Sequence, residues 1–247
     1  TSGVVFAHSR QYRVEPQGKL HAFCAAVPGQ WHLMGVMLSA AGSLQWFRDT
    51  LGHEEVAKAK AEGKHPYALF DEMAATIPAG SEGLQFLPYL TGERTPHPDP
   101  LARGALIGLT IRHTKAHIVR SVMEGITHGM KDSLDLMRAL GIQSKTIIAS
   151  GGGARSALWR QIMADTLETP IAMVNATEGA AYGAALLAAT GTGAYKSIQE
   201  AAKTCITTQQ AATPGKDAAT YAKANKIYKA LYPALKDQFK AMADLDA

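Results

Sequence analysis

Three runs rich in β-branched and aromatic residues open the chain, at residues 3–9, 20–27 and 30–38, and read as strands of a meander. Gln17-Gly18 and Pro28-Gly29 supply the turns between them. After Ser39-Ala40-Ala41-Gly42 the period lengthens, and Leu44, Phe47 and Leu51 fall on one helical stripe. Short helical patterns follow at 54–62 and 67–77, the second ended by Pro78-Ala79-Gly80. Leu84–Leu90 reads as a short strand. It gives way to Gly92-Glu93-Arg94-Thr95-Pro96-His97-Pro98-Asp99-Pro100, where proline and glycine bar helix and central strand alike. Ile118, Val122, Ile126, Met130, Leu134 and Met137 then recur at three- and four-residue spacing, which predicts a long amphipathic helix over 115–140 with Gly141 at its C′ position. Beyond it the pattern predicts a strand (146–149), a helix (154–167), a strand (170–174), a small-residue helix (180–190), a short helix (197–203) and a long polar helix (214–242).

Antiparallel strands followed by alternating strand and helix predict an α/β fold, a mixed sheet flanked by helices. The order resembles the ribonuclease-H-like (actin-like ATPase) half-domain. No repeat or linker divides residues 1–247, which read as a single domain. The chain begins with Thr1 and enters a strand almost at once, which predicts a segment cut from a longer protein.

The net charge of +4 is spread along the chain and not interleaved with aromatics, so nucleic acid is not an expected partner. The basic stretch 216–236 reads as the solvated face of a helix. Cys24 and Cys205 have no metal-ligand spacing and suggest a reducing compartment, most simply the cytoplasm. Apolar runs such as 180–189 fall short of the roughly 20 residues a membrane span needs. His97, His113 and His117 also lack a ligand spacing, so no metal site is expected.

Candidate chemistry concentrates in Ile147-Ile148-Ala149-Ser150-Gly151-Gly152-Gly153-Ala154-Arg155-Ser156. A β-branched segment runs into three glycines and a helical pattern, an arrangement that presents bare backbone N–H groups to an anionic or planar ligand. Glycine permits the close approach and tolerates positive φ. By spacing alone a plain connection fits equally well.

Three segments give the pattern a family. Gly104-Ala105-Leu106-Ile107-Gly108-Leu109 followed by His117-Ile118-Val119-Arg120-Ser121-Val122-Met123-Glu124 resembles the second signature of the FGGY carbohydrate kinases. Leu90-Thr91-Gly92-Glu93-Arg94-Thr95-Pro96-His97 and Ser150–Ser156 with Trp159-Arg160-Gln161 are similar to the corresponding segments of the xylulokinase branch. The resemblance covers the whole chain and matches the C-terminal half of such kinases. It implies ATP and Mg²⁺ as cofactors and a small sugar as substrate, D-xylulose phosphorylated at O5. It also implies an N-terminal, sugar-binding domain as partner; a second copy of the chain stays open as another. The residues it assigns to the nucleotide are Thr1, Ser2, Gly42, Gln45, Gly151, Gly152, Gly153 and Ser156. Ser156 stands where glycerol-kinase relatives carry Asn, and Ala41 where Gly is common.

The catalytic Asp and the first phosphate loop of the family have no match in the sequence, so the chain alone is expected to be inactive. Asp99 reads as a turn former, and Asp132 and Asp135 as helix surface charge. Glu93 and Arg94 read either as cleft-facing groups or as loop stabilisers, and Glu124 as a structural carboxylate. Trp46 and Trp159 read as core, with Trp46 also open to contact with a base. Kinases acting on ribulose, gluconate, fuculose or glycerol are the near alternatives; a non-catalytic actin-like nucleotide-binding module is the distant one.

Overall fold

The computed structural model describes residues 2–176 and 179–245. Strands β1 (Gly3–Ser9), β2 (His21–Cys24) and β3 (Trp31–Met37) are followed by helices α1 (Ala41–Thr50), α2 (His53–Ala61) and α3 (Pro66–Ala75). Then come β4 (Gln85–Leu87), β5 (Ala105–Ile107), α4 (Lys115–Ala139) and β6 (Ile147–Ile148). The chain continues through α5 (Ala157–Leu167), β7 (Ile171–Val174), α6 (Gly179–Gly191), α7 (Ile198–Cys205), β8 (Thr208–Ala212) and α8 (Ala218–Ala243).

The first sheet corrects the meander. β3 is its centre, paired antiparallel with β1 from Gly3–Met37 to Ser9–Trp31, and β2 lies on the far side. The 10–20 connection can bypass β3 because it closes on itself: the Glu15 carboxylate accepts the N–H groups of Gln17 and Lys19 at 3.0 and 2.7 Å. β6 and β7 are parallel, with α5 as their crossover, and β8 adds antiparallel to β7, giving a mixed sheet. β4 and β5 pair antiparallel as a separate ribbon.

Helix α4 is the centre of the molecule. It packs against β1 and β3, β4, and helices α1, α3, α5 and α8. Val119, Val122, Met123 and Ile126 are fully buried and join Phe47, Phe70, Phe86 and Trp159 in the main core. The helix passes so close to β4 that a Cβ on Gly125 would lie 2.2 Å from the Phe86 carbonyl oxygen, so only glycine fits there.

Because neighbours surround α4, its polar face is buried too, which the amphipathic pattern did not predict. Arg120 Nε donates to Glu124 Oε1 at 2.8 Å, its Nη1 donates to the carbonyls of Ala74 and Ile77, and its Nη2 donates to the Tyr221 hydroxyl. Glu124 accepts in addition from Gly80 N, Ser81 Oγ and Tyr221 OH. This network ties α3, the Gly80 turn and α8 to one turn of α4, and gives Glu124 the structural role read from the sequence. Asp132, expected on the surface, is only 6 % exposed, and burial pushes its carboxyl up to about 7. No helix among the described residues is long and apolar enough to cross a membrane.

Candidate functional site

The glycine turn is exposed on one side and backed on the other. Gly151 sits at φ 86°, ψ −176°, a conformation essentially restricted to glycine. A Cβ on Gly152 would meet nothing within 4 Å, whereas one on Gly153 would lie 2.9 Å from Trp159 Cζ3. Trp159 is thus the wall behind the turn, buried and fixed by its Nε1 donating to Thr127 Oγ1 on α4 at 2.9 Å. A short 3-10 turn over Gly152–Arg155 precedes α5, so the helix starts three residues later than the pattern suggested.

Ser156 is the N-cap of α5, its Oγ accepting from Trp159 N at 3.0 Å. Asp71 of α3 lies beside this hydroxyl, and burial raises its pKa against the pull of Ser156 and of Arg160. Ser156 therefore fixes the junction between the turn and α5 through its N-cap bond. Asp71 escaped the sequence reading because an acid on a short helix carries no signal of what it faces. Arg160 donates to the carbonyls of Ala154 and Arg155 at 2.6 and 3.0 Å and fixes the outer end of the turn.

A second open backbone edge lies where β3 enters α1. Ala40 at the N-cap offers no side-chain acceptor, so the first N–H groups of α1 have no capping side chain. Gly42 is half-buried and Gln45 exposed. Gly3 packs directly behind this edge: a Cβ there would lie 2.6 Å from Ala40 Cβ and 2.9 Å from Met130 Cε. The fold thus brings Ser2, exposed beside Gly3, together with Ala40–Gly42. Thr1, also assigned to the nucleotide, lies outside the described residues. Thr127 supports the glycine turn and Met130 the α1 edge, so both candidate segments rest on one turn of α4.

The remaining polar candidates have structural roles. Glu93 Oε1 accepts from Leu38 N at 3.0 Å and Arg94 N at 2.7 Å, which makes it a loop stabiliser; burial raises its carboxyl to about 7. Asp99 forms the expected turn, accepting from Leu101 N, and also accepts the Tyr232 hydroxyl. His113 and His117 accept the N–H groups of Thr110 and Thr114 on Nδ1. Trp46 is half-buried and stacks on Phe86, with 6.2 Å between ring centroids. Among the described residues no group of three or more His, Cys, Asp or Glu is placed to hold a metal ion. A cleft of about 440 Å³ between α2 and α3 is lined by Glu54, Glu55, Lys58 and Glu72, the wrong sign for a polyphosphate.

Residues 1–192 match the family described as the FGGY family of carbohydrate kinases, C-terminal domain, and the chain belongs to that family. It is 35% identical over 248 residues to the xylulose kinase of Bacillus subtilis, covering 100% of this chain and 46% of that protein. With the xylulose kinase of Escherichia coli it shares 40% identity over 201 residues, 81% of this chain and 39% of the relative. The crystal structure of ligand-bound xylulose kinase from Lactobacillus acidophilus superposes with a TM-score of 0.87 at 29% identity, over 98% of this chain and 47% of that one. The chain thus spans about half the length of these relatives or less. The likeness establishes the actin-like ATPase fold expected from the strand order.

Proposed function

We propose that this chain is the nucleotide-facing domain of an ATP-dependent sugar kinase whose acceptor is D-xylulose. The observation that carries the reading is the glycine turn, open at Gly151 and Gly152 and backed by Trp159. A flat purine needs a surface without side chains, and the turn offers one. The names of the relatives, together with the Leu90–His97 segment, support xylulose over gluconate, ribulose or glycerol.

In this reading, ATP donates its γ-phosphoryl group to O5 of the sugar, giving ADP and xylulose 5-phosphate. The hydroxyl proton passes to a carboxylate on an N-terminal domain that also holds most of the sugar. Ser2, Gly42 and Gln45 face the nucleotide, and Gly151–Gly153 carry the base. Ser156 acts by holding the turn. Phosphoryl transfer depends mainly on positioning and charge neutralisation, so a domain that fixes the nucleotide contributes to rate without a reacting group. Mg²⁺ would enter with the phosphates, since the described residues offer no ligand cluster. The free cysteines Cys24 and Cys205 support a cytoplasmic setting.

Gly152→Trp tests the reading cleanly, because open space beside Gly152 lets the side chain enter without disturbing the fold. The affinity for a fluorescent ATP analogue should fall at least about tenfold with the thermal midpoint unchanged. Unchanged affinity refutes the assignment. Nucleotide-dependent polymer formation, seen by light scattering, would instead favour the non-catalytic actin-like module.

A further inference from the structure

We propose that Glu93 is a positioning residue for the nucleotide site, setting the β3–α1 edge from behind. This rests on the nucleotide reading of Ala40–Gly42 above. β2 covers β3 only from Trp31 to Met34. Past Met34, the loop Thr91–Thr95 takes its place. Thr95 N donates to Val36 O at 3.1 Å, Val36 N donates to Thr95 Oγ1 at 3.2 Å, and Leu38 N donates to Glu93 Oε1 at 3.0 Å. Ser39 Oγ and Thr91 Oγ1 then meet at 2.7 Å, one residue before Ala40. Every backbone step from Val36 to the start of α1 is therefore adjacent to a bond from this loop.

The loop has a firm base from which to act. Glu93 and Asp99 exchange backbone hydrogen bonds at 2.9 and 3.1 Å, closing the segment on itself. Asp99 accepts the Tyr232 hydroxyl of α8, and His97 stacks on the Tyr232 ring with centroids 3.7 Å apart. Thr95 Oγ1 donates to Lys19 O on the β2 side. Within this frame the Glu93 carboxylate is the element that reaches across to Leu38. It is 3 % exposed, and its Oε2 is buried without a partner. A carboxylate kept at that cost for a surface ion pair would be unusual; one kept for the Leu38 N–H just past the end of β3, with Arg94 N of its own loop on the same oxygen, has a positional use. The ionisable groups around it are Asp132 on α4, Tyr89 after β4 and Tyr228 on α8.

The test compares Glu93→Ala, Glu93→Asp and Glu93→Gln with the parent for binding of a fluorescent ATP analogue and for amide hydrogen exchange of residues 36–43. E93D keeps the charge but withdraws the oxygen by one methylene; E93Q keeps the Oε1 acceptor without the charge. E93A and E93D should bind the nucleotide about tenfold more weakly and exchange faster at 36–43, the loss expected when one buried hydrogen bond no longer holds the edge. E93Q should restore both to within about threefold. Unchanged binding in E93A and E93D, unchanged exchange at 36–43, or an E93Q as weak as E93A would each overturn the positioning role. Binding that G152W abolishes but the Glu93 variants leave intact removes this proposal alone. A parent chain that binds no nucleotide removes the nucleotide reading and this proposal with it.

Discussion

Replacing Asp132 by Asn should make the stability difference from the parent strongly pH-dependent, with a sign opposite to that of a surface ion pair. Asp132 lies 3.6 Å from the Lys229 ammonium, which would ordinarily depress a carboxyl pKa. That lysine is shared with Asp135 at 2.7 Å, and Asp132 is nearly sealed from water, so desolvation dominates and the pKa rises from 3.8 to about 7. Below 3.8 the folded and unfolded chains both hold the proton and the stabilisation is fully present. As pH rises the unfolded chain releases its proton first, and stability falls by about 1.4 kcal/mol per unit until the folded carboxyl ionises. Asn releases nothing, so D132N should gain on the parent by up to about 4 kcal/mol between pH 4 and 7.

The parent's own curve hides this slope. Glu93 is raised to about 7 like Asp132, whereas half-buried His97 and buried His128 are lowered to about 4 and about 3. Between about pH 4.5 and 6.5 the folded state holds the protons of those two carboxyls and the unfolded state those of the two imidazoles, so the four shifts largely offset. D132N should unmask a rising curve. Urea denaturation followed by tryptophan fluorescence across this range measures both curves. A difference that stays flat from pH 4.5 to 8 would mean that Asp132 is ionised throughout and that the Lys229 pair outweighs burial.

Glu124→Ala should cost about 3–5 kcal/mol in the same assay, since it leaves the Arg120 charge and the donors of Gly80, Ser81 and Tyr221 buried without their acceptor; adding Arg120→Met should recover part of that loss, and a cost below about 1 kcal/mol would show the network to be solvated. Gly125→Ala should destabilise by about 1–3 kcal/mol despite alanine's better helix propensity, because its Cβ would sit 2.2 Å from a backbone oxygen of β4; a neutral effect by thermal unfolding would mean that α4 is free to shift.

Much of the fold was legible where period and punctuation agree. The α4 stripe, the glycine turn and the 92–100 loop fall where the pattern put them. β8 was missed because Thr208-Gln209-Gln210 is a polar, exposed stretch with no alternation to read, and it is a strand only because β7 offers it an edge. β5 was missed because its three residues, Ala105–Ile107, are all half-buried and lie inside a signature read for identity rather than shape. The burial of Asp132 was illegible for a different reason. Periodicity reports one apolar face, and a helix packed on every side hides its polar positions by pairing them, as Arg120 and Glu124 do.

The candidate site follows the same division. Glycines announce themselves because the backbone conformation at Gly151 demands them, but the groups that hold them do not. Trp159 packs against Gly153 while its Nε1 donates to Thr127, and Met130, three residues further along α4, touches the backbone at Gly3 that supports Ala40. Glu93 acts from outside the edge it fixes, through Leu38. A rigid helix that carries both open edges transmits its own displacement to each of them. The same Gly125→Ala change, which lies in neither candidate edge, should therefore weaken binding of the proposed nucleotide along with stability. A substitution of equal stability cost in the α6–α7 pair should leave binding intact, because those helices pack chiefly on each other.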